Sequence, residues 1–189
     1  MNLGCNDNNI LTKDPLTRFY ISIMPAILAI VFIYSLGPDI YIPAFRVFMA
    51  FYFALGVGWI ISPAIALASG IHPINVVILL VFISSQSSLI VSANYPILEK
   101  IPYLGSYMNR LRNKALEIIE KREMVEKVGY LSIFWLMFLP VYGSGPNVMT
   151  LVGRLLGLGW KRVWLVITLS ATVRFSIVTT LIYLGYISL

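Results

Sequence analysis

The residue best placed for chemistry is Arg174. It lies about twelve residues into the closing apolar run Arg162 to Leu189, roughly 18 Å along a helix axis. An arginine at that depth costs at least ~2.5 kcal/mol on insertion scales. It must meet a carboxylate, backbone carbonyls or an anionic ligand; the structural use would be a buried pairing with a helix C-terminus. Arg154 is the second intramembrane base if its segment dips into the membrane. Asp39 is the acid that stands apart from the N-terminal tail and from residues 97–127, and it lies near Arg46. It could pair with an arginine or take up a proton. Gly143 and Gly145 would let backbone groups approach an ion or head group. Ser144, Asn147, Thr150, Thr168, Ser170 and Thr172 add hydrogen-bonding partners. Gln86 stands out within Ser84-Ser85-Gln86-Ser87-Ser88, a cluster that fits helix packing as well as it fits a polar pathway.

Enzyme chemistry finds no footing. His72 is the single histidine and Cys5 the single cysteine, so the chain offers no His pair for a metal, no cysteine zinc cluster and no internal disulfide. Gly143-Ser144-Gly145 is not a nucleophile elbow, because no base is within reach. The expectation is a non-enzyme with no cofactor and no metal.

The elements that must position these residues belong to a membrane protein. Of 189 residues, 59% are hydrophobic and 12% charged, far fewer charges than a soluble domain carries. The net charge of +6 carries no nucleic-acid signal; its placement along the chain matters more. Residues 1–18 read as a polar tail without the apolar core of a cleavable signal. Residues 19–189 form one membrane domain. Spans are expected at 19–36, 74–93 and 162–188. Residues 39–46 read as a short connector. Residues 45–68 cross, or enter, break near Ser62-Pro63 and return. Residues 129–158 pose the same choice around Phe138 to Asn147, where two prolines and two glycines forbid a uniform helix. Broken backbone at membrane depth is tolerated where it is buried in protein or lines a cavity. Residues 105–127 read as an amphipathic surface helix.

Charge decides between the pictures. Seven bases lie between Lys100 and Lys127, which places that loop in the cytoplasm. If 129–158 crossed, Lys161-Arg162 would be stranded outside. If it re-enters, they stay inside, and the same logic upstream keeps Lys13 and Arg18 inside. The fold expected is therefore all-α and polytopic: two inverted units, each a re-entrant helical hairpin plus a spanning helix, with an extra N-terminal span. Ser69-Gly70-Ile71-His72-Pro73-Ile74-Asn75-Val76 and Leu156-Gly157-Leu158-Gly159-Trp160-Lys161-Arg162-Val163 both lead into a long apolar helix, as copies would. Inverted repeats place a shared site at their interface near mid-membrane.

Glu126-Lys127-Val128-Gly129-Tyr130, an apolar run, then Pro140-Val141-Tyr142-Gly143-Ser144-Gly145-Pro146 and Gly157 resemble the small multidrug export protein family over about Val125 to Tyr186. Tyr142 and Ser144 depart from that family's second proline and threonine. Pro38-Asp39-Ile40-Tyr41-Ile42-Pro43 loosely resembles its acidic upstream stretch. The arrangement also resembles the wider DedA and VTT membrane group, which implies two facing re-entrant hairpins and a role in lipid scrambling or proton-coupled transport.

The function expected is transport or flipping of a small or lipid-like, anionic molecule, coupled to an ion, in the cell membrane of a prokaryote. Membrane lipids and the substrate are the partners, and so short a chain is expected to form a homodimer. The rival is a non-transporting scaffold that organises lipids or proteins through its basic helix.

Overall fold

Prolines and glycines set the helix boundaries. The computed structural model describes residues 15–35, 37–53, 58–99, 122–138 and 145–187. Among them are seven helices and no strand. α1 (Pro15–Ser35) stops before Gly37, whose φ of 94° lies in the left-handed region that glycine tolerates. α2 (Pro38–Phe53) follows at once. The connector expected over 39–46 is therefore helical. Pro38 loses nothing at a first position, where its N–H would have no partner, and Asp39 favours the positive end of the helix. The first turn closes with Tyr41 N–H donating to Gly37 O at 3.0 Å.

α3 (Gly58–Ala68) packs back against α2. The break lies before Gly58, not near Ser62-Pro63, which sit inside α3. Gly58 explains the position. A Cβ there would collide with the carbonyl oxygens of Ala50 and Phe51, so only glycine lets α3 start over the end of α2. The Ser62 hydroxyl donates to Gly58 O at 2.5 Å within the first turn.

α4 (Pro73–Glu99) and α7 (Trp160–Ile187) are the two helices long and apolar enough to cross a membrane. They run antiparallel. Ser92 of α4 meets Trp160 of α7, whereas Ser85 meets Trp164 and Thr168, so α7 numbers rise as α4 numbers fall. α5 (Arg122–Phe138) and α6 (Pro146–Leu155) complete the chain. Residues 100–121, most of the amphipathic helix expected over 105–127, lie outside the described residues; 122–127 open α5.

The turns into α4 and α7 are built alike. Gly70 and Gly157, at φ 80° and 76°, each follow a short helix. Gly70 N–H donates to Leu67 O and Ile71 N–H to Ala66 O; Gly157 N–H donates to Arg154 O and Leu158 N–H to Gly153 O. These are paired helix-ending bonds around a left-handed glycine. Every partner in the second turn stands 87 residues after its counterpart, and so does Trp160 after Pro73. Burial keeps the same register. Val76 and Val163, Leu80 and Ile167, and Ser84 and Ala171 are all fully buried.

The core lies between α4 and α7, with Val47 of α2, Ile133 and Met137 of α5 and Met149 of α6 packed against it. Gly153 permits the tightest approach: a Cβ there would lie 2.9 Å from Ile133 Cδ1 and 3.0 Å from Val163 Cγ2. The outer face of α1 exposes Met24, Leu28, Val31 and Phe32, the surface a lipid-facing helix requires.

Candidate functional site

Arg174 sits midway along α7 and is only 2% exposed. Its Cζ lies 3.2 Å above the centre of the Trp59 ring, with Phe175 at 6.0 Å. So short a distance requires the planar guanidinium to stack on the indole face, since a tilted one would drive a nitrogen into the ring. Desolvated cation–π contacts of this kind contribute about 2 kcal/mol. Trp59 is 8% exposed and opens α3 directly after Gly58. Its indole Nε1–H is buried and has no hydrogen-bond partner among the described residues.

The end of α2 completes this region. Phe51 packs on Phe175 with ring centres 6.3 Å apart. The neighbouring Tyr52 points the other way, and its hydroxyl hydrogen-bonds to Ser87 Oγ on α4. The α2–α3 bend thus touches both long helices near their middles. Ser87 and Arg174 are themselves 87 residues apart.

The other short helix makes the crossed counterpart of this contact. Gly145 is extended (φ −68°, ψ 157°) and leads into Pro146 at the first position of α6. The Thr150 hydroxyl meets Ser88 Oγ of α4 at 2.7 Å and Pro146 O at 2.6 Å. Ser85 accepts from Trp164 Nε1 at 3.0 Å and from Thr168 Oγ1 at 3.1 Å. The serines of α4 are therefore shared among α2, α6 and α7.

Among the described residues, those singled out in the sequence do not converge on one point. Arg154 donates from one terminal nitrogen to Leu158 O at 2.9 Å and stacks on Tyr95 at 5.1 Å, so its fork ties the α6–α7 turn to the end of α4. Asp39 is exposed at the start of α2, fourteen residues and about 21 Å from that helix's far end. Asn147 is exposed on the first turn of α6. Gln86 is buried and donates to Ser22 O of α1, beside Asn94, which donates to Ser22 Oγ at 3.0 Å. Gly143 and Ser144 lie outside the described residues.

Trp59 and Tyr52 were missed in the sequence. A signal for Trp59 exists: an arginine at membrane depth needs a polarisable face, and Trp59 is an aromatic set directly on the glycine of a helix break.

Comparison with known proteins adds one match. The model of the family described as "Putative small multi-drug export protein" covers residues 45–177, well over half of the chain. The matched segment starts after Asp39, so the loose upstream resemblance at Pro38 to Pro43 lies outside it. Neither curated proteins nor solved structures produced a match.

Proposed function

The chain belongs to the small multi-drug export protein family, and on that premise we propose a multi-pass transporter or flippase of a prokaryotic cell membrane. Its cargo is a small or lipid-like anionic molecule, moved with ion coupling. The observation that carries this reading is the meeting of a mid-helix arginine, Arg174, with the start of a broken helix at Trp59. Half-helices that begin inside the membrane present N–H groups and a positive dipole end to bound anions.

Three features support an architecture of two inverted units. The turns into α4 and α7 share a register of 87 residues, and those helices pack antiparallel. Each short helix lies against the long helix of the other unit, α3 on α7 and α6 on α4. Gly129, midway along α5, has Leu158 of the α6–α7 turn 3.3 Å from where a Cβ would lie. This contact supports the reading that the segment 129–158 re-enters and does not cross. Ser92, near the close of α4, meets Trp160 at the start of α7, which supports the reading that Lys161-Arg162 and the basic loop 97–127 share a side, the cytoplasmic one by the positive-inside rule. Asp39, at the mouth of the first hairpin, is the group assigned to ion coupling.

The test is flux. Purified protein in phosphatidylcholine vesicles is given a trace of short-chain fluorescent phosphatidylglycerol and a pH gradient. Movement across the bilayer should exceed that in protein-free vesicles and fall at least tenfold in Arg174→Gln. Flux equal to that of empty vesicles overturns the reading.

A further inference from the structure

We propose that the α2–α3 hairpin is a flap, hinged at Gly37 and Gly70 and latched at its inner end by the Tyr52 hydroxyl on Ser87. This rests on the transport reading and adds a moving part to it.

Four successive residues of α4 each hydrogen-bond a different helix. Ser85 accepts from Trp164 and Thr168 of α7, Gln86 donates to Ser22 O of α1, Ser87 meets Tyr52 of α2, and Ser88 meets Thr150 of α6. Successive residues turn by about 100° around a helix, so α4 is held from several sides at one level. Three of these ties are fixed. Thr150, Ser88 and Ser22 are fully buried, and Ser85 is held by two side chains at once. Tyr52 differs. It makes one hydrogen bond among the described residues, and it is 38% exposed. Ser87 donates its own proton to Ile83 O at 2.8 Å, so Tyr52 is the donor in their contact. The serine hydroxyl therefore stays paired when Tyr52 leaves. This tie can be broken without orphaning a buried group.

The hairpin is built to move as one piece. α3 starts so close over the carbonyls of Ala50 and Phe51 that a Cβ at Gly58 would strike them, which locks the inner end of α3 to α2. The outer ends are looser. Gly37 joins α1 to α2 and Gly70 joins α3 to α4, at φ 94° and 80°. A Cβ at either would meet nothing within 4 Å among the described residues. Hinges are a few element-terminal residues that absorb backbone rotation. Tyr52 lies fifteen residues beyond Gly37, roughly 22 Å along α2. A tilt of about 10° at the hinge carries its hydroxyl about 4 Å, enough to break the bond.

The remaining contacts of the inner end, Phe51 on Phe175 and Trp59 on Arg174, are made by rings and tolerate sliding better than a hydrogen bond does. The second hairpin lacks this design. Gly153 of α6 is closed in by Ile133 and Val163, and the counterpart of Tyr52 in the 87-residue register is Leu139, which has no hydroxyl. One flap moves against a fixed frame of α4, α6 and α7, and its opening uncovers Ser87.

Pulsed electron spin resonance on the full chain in phosphatidylcholine nanodiscs tests this. Spin labels go on Phe53→Cys, at the end of α2, and Leu169→Cys, on α7, in a Cys5→Ser background; both positions are exposed. The latched hairpin gives one main distance. Tyr52→Phe, which keeps the ring and removes the hydroxyl, should raise the population at a second, longer distance about threefold to tenfold, as loss of one hydrogen bond implies. Ser87→Ala should do the same, and the two changes together should do no more than either alone. Thr150→Val, which removes a hydroxyl from a fixed tie, should leave the distances unchanged. Unchanged distances in both Tyr52→Phe and Ser87→Ala, or an equal shift in Thr150→Val, overturn the flap. Flux is read separately. Tyr52→Cys and Ser87→Cys, bridged by a short bifunctional methanethiosulfonate, should lose flux and regain it on reduction. Flux that survives bridging overturns the proposal. Flux absent from every form, with the distances shifting as stated, would remove the transport reading while the flap stood.

Discussion

The Ser92 hydroxyl, near the end of α4, donates to the backbone carbonyl of Trp160, the first residue of α7, at 3.3 Å. Two segments 68 residues apart in sequence therefore meet at one end of the bundle. Cysteines at both positions in a Cys5→Ser background should form a disulfide under mild oxidation. In oriented cells, a single Trp160→Cys should react with an impermeant thiol reagent only after the cytoplasmic side is opened. Labelling from outside would mean that 129–158 crosses the membrane, and the inverted-unit reading would be lost.

The two close-packed glycines differ in what stands over them. At Gly153 the neighbours are side-chain tips of Ile133 and Val163, which can shift by tenths of an ångström. Overpacking of this sort destabilises by about 1–3 kcal/mol. At Gly58 the neighbours are backbone carbonyls of Ala50 and Phe51, which move only if α3 lifts off α2. Gly58→Ala should therefore lower the melting temperature more than Gly153→Ala. Because Trp59 adjoins it, Gly58→Ala should also weaken whatever Arg174 binds. Equal melting temperatures for the two variants would refute this account of the α2–α3 bend.

The turns before α4 and α7 were legible because glycine and proline act locally. Gly70 and Gly157 sit where the chain needs a left-handed residue, and each long apolar run follows at once. The break in 45–68 was misplaced because Pro63 looks like a helix breaker. What governs the break is the room over Ala50 and Phe51, a tertiary fact that sequence spacing does not encode. The start of α2 was missed for the opposite reason: Pro38 and Asp39 read as turn residues, yet they also suit a first helical turn. At the site, Arg174 announced itself by charge at depth. Trp59 did not, because the contact joins residues 115 positions apart. Arg154 drew notice by its charge at depth, and its local bond to the carbonyl of Leu158, four residues on, was not legible from that charge.

That local bond leads to a prediction for Arg154. The arginine fork holds Leu158 O and covers Tyr95, so it needs a planar, multidentate head and not merely a positive charge. Arg154→Lys should thus destabilise nearly as much as Arg154→Gln, by about 1.5–3 kcal/mol if the charged hydrogen bond is lost in both. Melting of the purified protein, at about 2–4 °C per kcal/mol for a chain of this length, makes the comparison accessible. Full stability of Arg154→Lys would show that charge alone suffices there.

The polar contact between α1 and α4 sets the last prediction. Gln86 donates to Ser22 O, and Asn94 donates both to Ser22 Oγ at 3.0 Å and to Ile90 O at 2.8 Å. The acceptor lies three residues before Pro25, whose ring removes a backbone donor from α1 and leaves its local helix ladder one bond short. Gln86 therefore fastens α1 to α4 where α1 is weakest. Side-chain hydrogen bonds between membrane helices average about 0.6 kcal/mol and reach about 1.7. Gln86→Leu should fall within that range, and Asn94→Ala combined with Ser22→Ala should cost less than the sum of the single changes, because both remove the same Asn94–Ser22 Oγ bond. A thermodynamic cycle on the four proteins measures the coupling. Strict additivity would show that Asn94 and the Ser22 hydroxyl act independently and that their contact adds nothing to the hold of α1 on α4.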